Sequence, residues 1–218
     1  MISEALRHGV IGKAVESNLI RVKCYNPRDF ANNKHNRVDD KPFGGGAGMV
    51  MMYDPLARTV EHIESQSDLG QLLFLSPHGE QLKQAHCNQW GRMSSLTLLC
   101  GRYEGVDQRF IDEFVDKEIS IGDYVISGGE LAACVVIDAV GRQIEGVLGS
   151  EESAASDSFM NGLLGCPQYT RSEKLGQSGV PSVLLSGRHK DIAVWREDQS
   201  LKLTKLKRPD LLEGTSES

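Results

Sequence analysis

Two glycine-punctuated segments in the middle of the chain contain the residues best suited to hold a small molecule. The first, Gly101 to Gly105, reads GRYEG and directly follows an apolar run, Leu96 to Cys100. The second, Ile121 to Glu130, reads IGDYVISGGE and precedes a helical pattern. Glycines let backbone N–H and C=O groups approach a ligand closely, and open α/β proteins bind ligands where their strands end. Taken alone, each segment is more simply explained as a tight turn.

The composition is that of a globular protein with a hydrophobic core, since 39% of the 218 residues are hydrophobic and 25% are charged. We expect no membrane span and no secretory signal, because no apolar run is long enough. The five cysteines are widely spaced and form no CxxC pair. Disulfide-rich and structural-zinc classes are therefore disfavoured, and a cytoplasmic location is expected. The net charge of −6 disfavours wholesale coating of nucleic acid but permits a local basic patch.

Short apolar runs alternate with helical patterns, which predicts an α/β domain with a mostly parallel sheet. Strands are expected at 19–25, where apolar and polar residues alternate, at 72–77, ended by Pro77 and Gly79, and at 96–100. Residues 26–40 are predicted to be a polar loop. Helical patterns occupy 1–17 (broken at Gly9 and Gly12), 49–65, 81–90, 107–114, 187–207, and 130–144, whose apolar face is Leu131, Val135 and Ala139.

A change of composition divides the chain. Residues 146–160 are mostly small and polar without a hydrophobic period, which is typical of a flexible linker. The prediction is therefore a domain at 1–145, a linker at 146–160 and a second domain at 161–218. The 187–207 helix is cationic, so it either faces solvent or contacts nucleic acid; its basic residues are Arg188, Lys190, Arg196, Lys202, Lys205 and Lys207.

Seven longer motifs identify a family. In chain order they are RVDDKPFGGGAGM (37–49), SPHG (76–79), CGRYEG (100–105), SIGDYVISGGEL (120–131), ASDSF (155–159), LLGCPQYTR (163–171) and VLLSG (183–187). With them the chain closely resembles the bacterial tRNA (guanine-N1)-methyltransferases of the SPOUT class over nearly its whole length. The resemblance implies an α/β fold with a parallel sheet and a deep trefoil knot, and a small, mostly helical C-terminal domain that binds tRNA. Patterns alone would not predict a knot, because chain connections almost never thread.

The resemblance also implies the reaction, which is methyl transfer from S-adenosylmethionine to N1 of the guanosine at position 37 of tRNA. Loops around 74–77, 101–105 and 121–126 would hold the donor, with backbone groups on the adenine edge and apolar side chains on its faces. Ordinary core packing is the alternative for Phe74 and Ile126. The implied donor contacts are Phe74, Leu75, Ser76, Pro77, Gly101, Tyr103, Glu104, Gly105, Ile121, Gly122, Asp123, Tyr124, Val125, Ile126, Gly128 and Gly129.

Guanine N1 is protonated at neutral pH, so methylation needs a general base and a group that stabilises negative charge developing at O6. Asp157 matches the base that has been proposed for the family, and Arg142 matches the arginine that stabilises this charge. Without the resemblance, Asp157 would be interpreted as a helix N-cap. A free aspartate is a weak base, so a loop that orders on RNA binding is expected to desolvate it.

The resemblance further implies a homodimer whose donor site and catalytic aspartate come from different subunits. Arg28, His35 and Arg37 are candidates for RNA contact or for plain surface charge. Magnesium supports catalysis in the family and is possible here, with Glu104 as one candidate carboxylate. No group of residues has metal-ligand spacing, so no metal site is predicted.

Some features depart from the family. This chain starts inside the family's first motif, so we expect the first strand of the sheet to be missing. Ala47 and Ala132 stand where proline is usual, and Gly165 replaces a common aspartate. A truncated, noncatalytic protein that binds RNA and S-adenosylmethionine is therefore the alternative function. A GGDEF-like cyclase, suggested by the Gly-Gly-Glu at 128–130, fits poorly because Leu131 and Ala132 follow it.

Overall fold

A computed structural model describes residues 1–149, 156–172 and 174–213. The chain divides into two compact units, Met1–Gly149 and Ser150–Ser218. The boundary falls inside the segment predicted to be a linker, of which 150–155 lie outside the described residues. Residues 173 and 214–218 of the predicted C-terminal domain also lie outside them.

The first unit is built on a parallel sheet, which confirms the predicted α/β class. Its strands are β3 (Gln71–Gln81), β4 (Leu96–Cys100) and β5 (Lys117–Ser120), in the order β4-β3-β5. Leu73 lies opposite both Leu98 and Lys117 in the register. Two very short strands, β1 (Asp39–Asp40) and β2 (Val50–Met51), pair antiparallel outside this sheet.

Helices cover both faces of the sheet, and alternating β3 residues enter two separate cores. Leu73 and Leu75 pack in a cluster with Trp90 and Val136, whereas Leu72 and Phe74 pack in a second cluster with Leu56 and Phe110. The helices of this unit are α1 (Ile2–Ala5), α2 (Gly9–Glu16), α3 (Tyr53–Gln66), α4 (Gln84–Trp90), α5 (Gln108–Phe114) and α6 (Glu130–Gly141).

The strand predicted to stop at Pro77 and Gly79 continues to Gln81. Leu75 and Glu80 both lie opposite Ile119, so residues 76–79 bulge out between two paired stretches. A proline is tolerated in a bulge because no ladder hydrogen bond is required of it there. A Cβ on Gly79 would lie 2.3 Å from the Ile119 nitrogen, so only glycine lets the two strands pass this closely.

The predicted strand at 19–25 is wrong, because no strand lies beside it in the described part of the chain. The alternation has a different cause, since Ile20 packs beside Gly141 at the end of α6. The predicted break at Gly9 is confirmed, because α1 ends before it and α2 begins at Gly9 with a positive φ of 70°, but Gly12 is buried inside α2. The polar loop at 26–40 contains a short 3₁₀ turn, Pro27–Phe30, capped by Asn26.

The face of α6 that was predicted to be apolar points outward. Leu131 is 52% exposed and Val135 is 46% exposed, although they lie one helical turn apart in a largely apolar helix. The core side of α6 is formed mainly by smaller residues: Ala132, Ala133, Val136, Val140 and Gly141. Within the first unit Leu131 and Val135 therefore remain uncovered.

In the second unit the described elements are helices, Ser182–Leu185, His189–Lys207 and Asp210–Glu213. Thr204, fully buried on the longest of them, fixes the preceding segment. Its hydroxyl donates to the Ser200 carbonyl at 2.7 Å and accepts from the Leu164 N–H at 2.9 Å. The predicted 187–207 helix is thus present with its end at Lys207.

Candidate active site

Three irregular segments meet at one edge of the parallel sheet. Segment 101–105 follows β4, segment 121–129 follows β5, and the bulge at 76–79 lies level with the end of β5. The carboxyl ends of parallel strands share one edge, which is where open α/β sheets bind ligands. The structure therefore brings together the three segments that contain the predicted donor contacts.

Two of these segments touch through their glycines. The N–H of Gly129 donates to the carbonyl of Gly101 at 2.9 Å. A Cβ on Gly129 would lie 2.7 Å from the Cys100 Cα, and a Cβ on Gly101 would lie 2.7 Å from the Phe74 ring. These positions need glycine because backbone and ring occupy the space that a side chain would fill.

Segment 101–105 is held in place by the chain around β2. The Glu104 N–H donates to the Met49 carbonyl, and the Met51 N–H donates to the Gly105 carbonyl, each at 2.9 Å. Tyr103 adopts a positive φ of 59°, which is rare for a residue with a side chain. Its hydroxyl accepts from the Arg28 guanidinium at 3.3 Å. The segment is therefore fixed from both sides, with the half-exposed Tyr103 ring at its tip.

Segment 121–129 is fixed at its start and open in its middle. The Ser120 hydroxyl accepts from the Gly122 N–H at 3.2 Å and donates to the Gly122 carbonyl at 3.0 Å. Further along, the N–H groups of 125–127 have no acceptor among the residues that the structure describes. Val125 is 85% exposed beside them. The segment thus offers free backbone donors next to an uncovered apolar side chain.

These features fit an adenine ring with an apolar surround. Free N–H groups can pair with the acceptor nitrogens of a purine edge, and glycine backbones can approach it closely. The residues that the structure places on the three segments, or directly beneath them, include all the donor contacts implied above. Phe74 and Leu75 are 5% and 6% exposed and belong to the two cores, so packing is their observed role. Ile126 is half-buried against the core that contains Leu75. Donor contact at these positions stays a prediction.

The two predicted catalytic residues belong to different units. Arg142 is half-buried and caps the C-terminus of α6 in the first unit, where its N–H donates to the Asp138 carbonyl at 3.1 Å. Asp157 is exposed in the second unit, in a turn where the Met160 N–H donates to its carbonyl at 3.4 Å. The catalytic roles of both residues stay predictions.

An ion pair that the sequence patterns did not reveal connects segment 101–105 to α6. Arg102 Nε and Nη2 each lie 2.8 Å from Glu130 Oε1. The sequence does contain a signal for this pair, because Arg102 and Glu130 are opposite charges that each directly follow a glycine of their motif. The same carboxylate affects a neighbouring thiol, because burial first and then the negative charge of Glu130 raise the pKa of Cys100 to about 12. Cys100, the last residue of β4 before segment 101–105, therefore stays a neutral thiol.

The described residues contain no group of three or more histidine, cysteine or acidic side chains that could hold a metal ion. In the same residues, no helix combines the length and apolarity needed to cross a bilayer.

Comparison with known proteins matches the whole chain to one family. A family model described as tRNA (Guanine-1)-methyltransferase TrmD matches residues 1–214. A tRNA (guanine-N(1)-)-methyltransferase of Pasteurella multocida (strain Pm70) is 50% identical over 215 residues, covering 98% of this chain and 88% of the relative. Another, of Pseudoalteromonas translucida (strain TAC 125), is 51% identical over 205 residues, covering 94% of this chain and 80% of the relative.

Proposed function

This chain belongs to the tRNA (guanine-1)-methyltransferase family, and from that premise we propose that it methylates N1 of the guanosine at position 37 of tRNA. The observation that carries the proposal is the contact between Gly129 and Gly101, which joins two motif loops into one site at the carboxyl edge of the sheet. Relatives named as methyltransferases do not favour a noncatalytic binder. An enzyme of this kind would work in the cytoplasm.

S-adenosylmethionine would supply a methyl group already activated on a sulfonium. We assign its adenine to the pocket formed by segments 101–105 and 121–129. The free N–H groups of 125–127 would bind the purine edge, and Val125 and Ile126 would cover its faces. The close glycine contacts would keep side chains out of the space that the ring needs.

The chain's own residues would provide the proton transfer. The Asp157 carboxylate would accept the N1 proton, and the Arg142 guanidinium would stabilise the negative charge that then develops on O6. Guanine N1 would form its new bond to the methyl carbon as the carbon–sulfur bond breaks, which leaves a neutral thioether. Because Asp157 lies exposed in a turn, bound RNA would have to exclude water from its carboxylate.

The path of the chain through the site supports the proposed trefoil knot. Gly129 lies against the backbone of Cys100 and Gly101, so the segment after β5 returns over the end of β4 before α6 begins. Such a return passes one loop close by another, as threading requires. Glycine at this crossing removes the steric obstacle of a side chain.

The outward face of α6 supports a homodimer. Leu131 and Val135 form an uncovered apolar pair beside the donor segment that precedes α6. Exposed apolar surface of this kind marks association sites. We propose that this face meets a second copy of the chain, so that the donor site of one subunit works with Asp157 of the other.

Replacing Asp157 with asparagine tests the proposed base. Asp157→Asn keeps the size of the side chain and removes its basicity, so turnover on unmodified tRNA should be lost while calorimetric affinity for S-adenosylmethionine stays within a few-fold. Asp198→Asn is the matched control, because it removes an exposed carboxylate of the same unit that pairs with Lys202. A tRNA with adenosine at position 37 should accept no methyl group. Retained turnover in Asp157→Asn would refute the proposed base.

Mixing two inactive variants tests the shared site. One variant would be Asp157→Asn, and the other Gly129→Ala, which should block the donor pocket. Each homodimer should be inactive, but a heterodimer contains one site with an intact donor pocket and an intact aspartate. Activity that appears only after subunit exchange supports the proposal. No recovery, with heterodimers confirmed by native mass spectrometry, would show that both groups come from one subunit.

A further inference from the structure

The second unit contains a cavity that the proposed reaction does not use. It has a volume of about 360 Å³ and lies between residues 167–171 and the helix His189–Lys207. Its aromatic wall is formed by Tyr169 and Trp195, whose ring centroids are 6.3 Å apart at an interplanar angle of 55°. Because the rings are tilted, each keeps one face away from the other. Tyr169 is 47% exposed.

The rest of the lining combines aliphatic, polar and cationic residues. Val180, Leu184 and Ile192 contribute aliphatic groups, and Arg171 and Arg196 contribute guanidinium groups. None of the described lining residues is acidic. Within residues 156–172 and 174–213, no carboxylate forms an ion pair with either arginine. Both positive charges are therefore available to an anionic ligand.

This combination matches the chemistry of a nucleotide in a single strand. Unpaired bases stack on aromatic rings, and arginines beside them bind the flanking phosphates. The volume is at the low end of the roughly 300–1,000 Å³ typical of small-molecule pockets, which suits one base with part of its ribose. A peptide could also enter this cavity. However, among the described residues neither arginine forms an ion pair and no lining residue is acidic, which favours a polyanion.

We propose that this cavity receives one unpaired nucleobase of the tRNA, stacked on Tyr169 or Trp195, while Arg171 and Arg196 bind adjacent phosphates. The inference rests on the proposed tRNA substrate, and it adds a second anchoring point outside the methylation site. A base held here would fix the RNA on the second unit, the unit that also contains Asp157.

Aromatic substitutions test the stacking. Affinity for an unmodified tRNA transcript should fall between about five- and a hundredfold in Tyr169→Leu and in Trp195→Leu. Tyr169→Phe and Trp195→Phe retain a ring and should bind within about threefold of the wild type. Affinity for S-adenosylmethionine should not change in any of them. If the leucine and phenylalanine variants bind equally well, the stacking proposal is wrong.

The salt dependence of binding separates phosphate contacts from packing. Arg171→Ala should lower the slope of log affinity against log salt by about one, whereas Tyr169→Leu should leave the slope unchanged. If the salt-dependence slope is unchanged in both Arg171→Ala and Arg196→Ala, the proposed phosphate contacts are wrong. If tRNA affinity is unchanged in all these variants, the nucleobase proposal is wrong and a protein partner becomes the favoured occupant of the cavity.

Tryptophan fluorescence can report binding of RNA at the cavity independently of methylation. RNA stacked beside Trp195 should quench its emission, whereas Trp90 is 3% exposed in the other unit and serves as the internal reference. Ring-dependent quenching by a tRNA that is not methylated would refute the proposed reaction while supporting this site. Methylation by a protein whose Trp195 emission and leucine variants do not respond to tRNA would refute this site alone.

Discussion

The backbone N–H of Gly129 lies 2.9 Å from the carbonyl oxygen of Gly101 and donates a hydrogen bond to it. These residues follow different strands, and they are 28 positions apart in the chain. The bond sets the spacing between the two glycine segments. The absence of a side chain on Gly129 lets the two backbones come this close, and the absence of one on Gly101 leaves room for the Phe74 ring. The site therefore depends on residues that contribute no functional group of their own.

Gly129→Ala should disrupt this spacing. The new Cβ would lie 2.7 Å from the Cys100 Cα and 2.9 Å from the Gly101 nitrogen, so a backbone must move. We expect a loss of stability of about 1–3 kcal/mol and at least tenfold weaker binding of S-adenosylmethionine. Gly149→Ala is the matched control because nothing lies within 4 Å of its added Cβ. Thermal unfolding and calorimetry would measure both effects, and normal donor binding in Gly129→Ala would contradict the assigned pocket.

Local patterns predicted the strand Leu96–Cys100 correctly, because a short apolar run between polar residues favours a strand. It lies at the edge of the sheet and its residues are only half-buried, so the burial expected for it was too high. The strand predicted at 19–25 is not observed. Alternation of apolar and polar residues indicates which side chains are covered, but a strand also needs a neighbouring strand to which its backbone can hydrogen-bond. Pro77 did not end its strand because a bulge accommodates it, and that bulge depends on the facing residue Ile119.

From residue patterns alone the candidate site could be predicted only as separate motifs, and it was the family resemblance that implied they form one site. Each glycine segment is visible in the sequence, but the contact of Gly129 with Gly101 and the Arg102–Glu130 pair join residues far apart in the chain. Periodicity likewise identified an apolar face on α6 without indicating whether it faces the core. In the structure the alanine, valine and glycine residues on the opposite side of α6 are buried, which leaves Leu131 and Val135 outside.

The Arg102–Glu130 ion pair should contribute more to donor binding than to folding. The two side chains are 47% and 23% exposed, and ion pairs this exposed typically contribute about 0–1 kcal/mol. A double-mutant cycle of Arg102→Met and Glu130→Gln should therefore show a small coupling in unfolding free energy. The coupling in S-adenosylmethionine affinity should be larger, because the pair holds segment 101–105 against α6. Equal couplings in both measurements would show that the pair has no specific role in the site.

Cys100 should resist alkylation in the folded protein. Burial, with the nearby Glu130 charge, raises its pKa to about 12, so almost no thiolate forms at pH 8. Cys24 is exposed and should react with iodoacetamide first, as peptide mass spectrometry would show. In urea both should react at similar rates. Early labelling of Cys100 under native conditions would indicate that the end of β4 opens to solvent.

Asp107 should contribute stability that depends on pH. Its carboxylate accepts from the Arg109 N–H at 3.0 Å as the N-cap of α5, and the Arg109 guanidinium holds the pKa of Asp107 below its ordinary 3.8. Since the folded pKa is depressed, the charge-dependent stability is present above the unfolded value and is lost as the pH falls through the folded one. Asp107→Asn keeps an acceptor for the cap, whereas Asp107→Ala removes it, at a cost of about 0.5–2 kcal/mol.

We therefore expect the wild type to melt above Asp107→Asn at neutral pH, and the two to converge below about pH 4. Asp107→Ala should melt below both at every pH, because it lacks the cap as well as the charge. Thermal melts at a series of pH values and constant ionic strength would measure these differences. A difference in melting temperature between wild type and Asp107→Asn that stays constant down to pH 3 would mean that the Arg109 contact does not lower the pKa of Asp107. Asp107 would then act only as the helix cap.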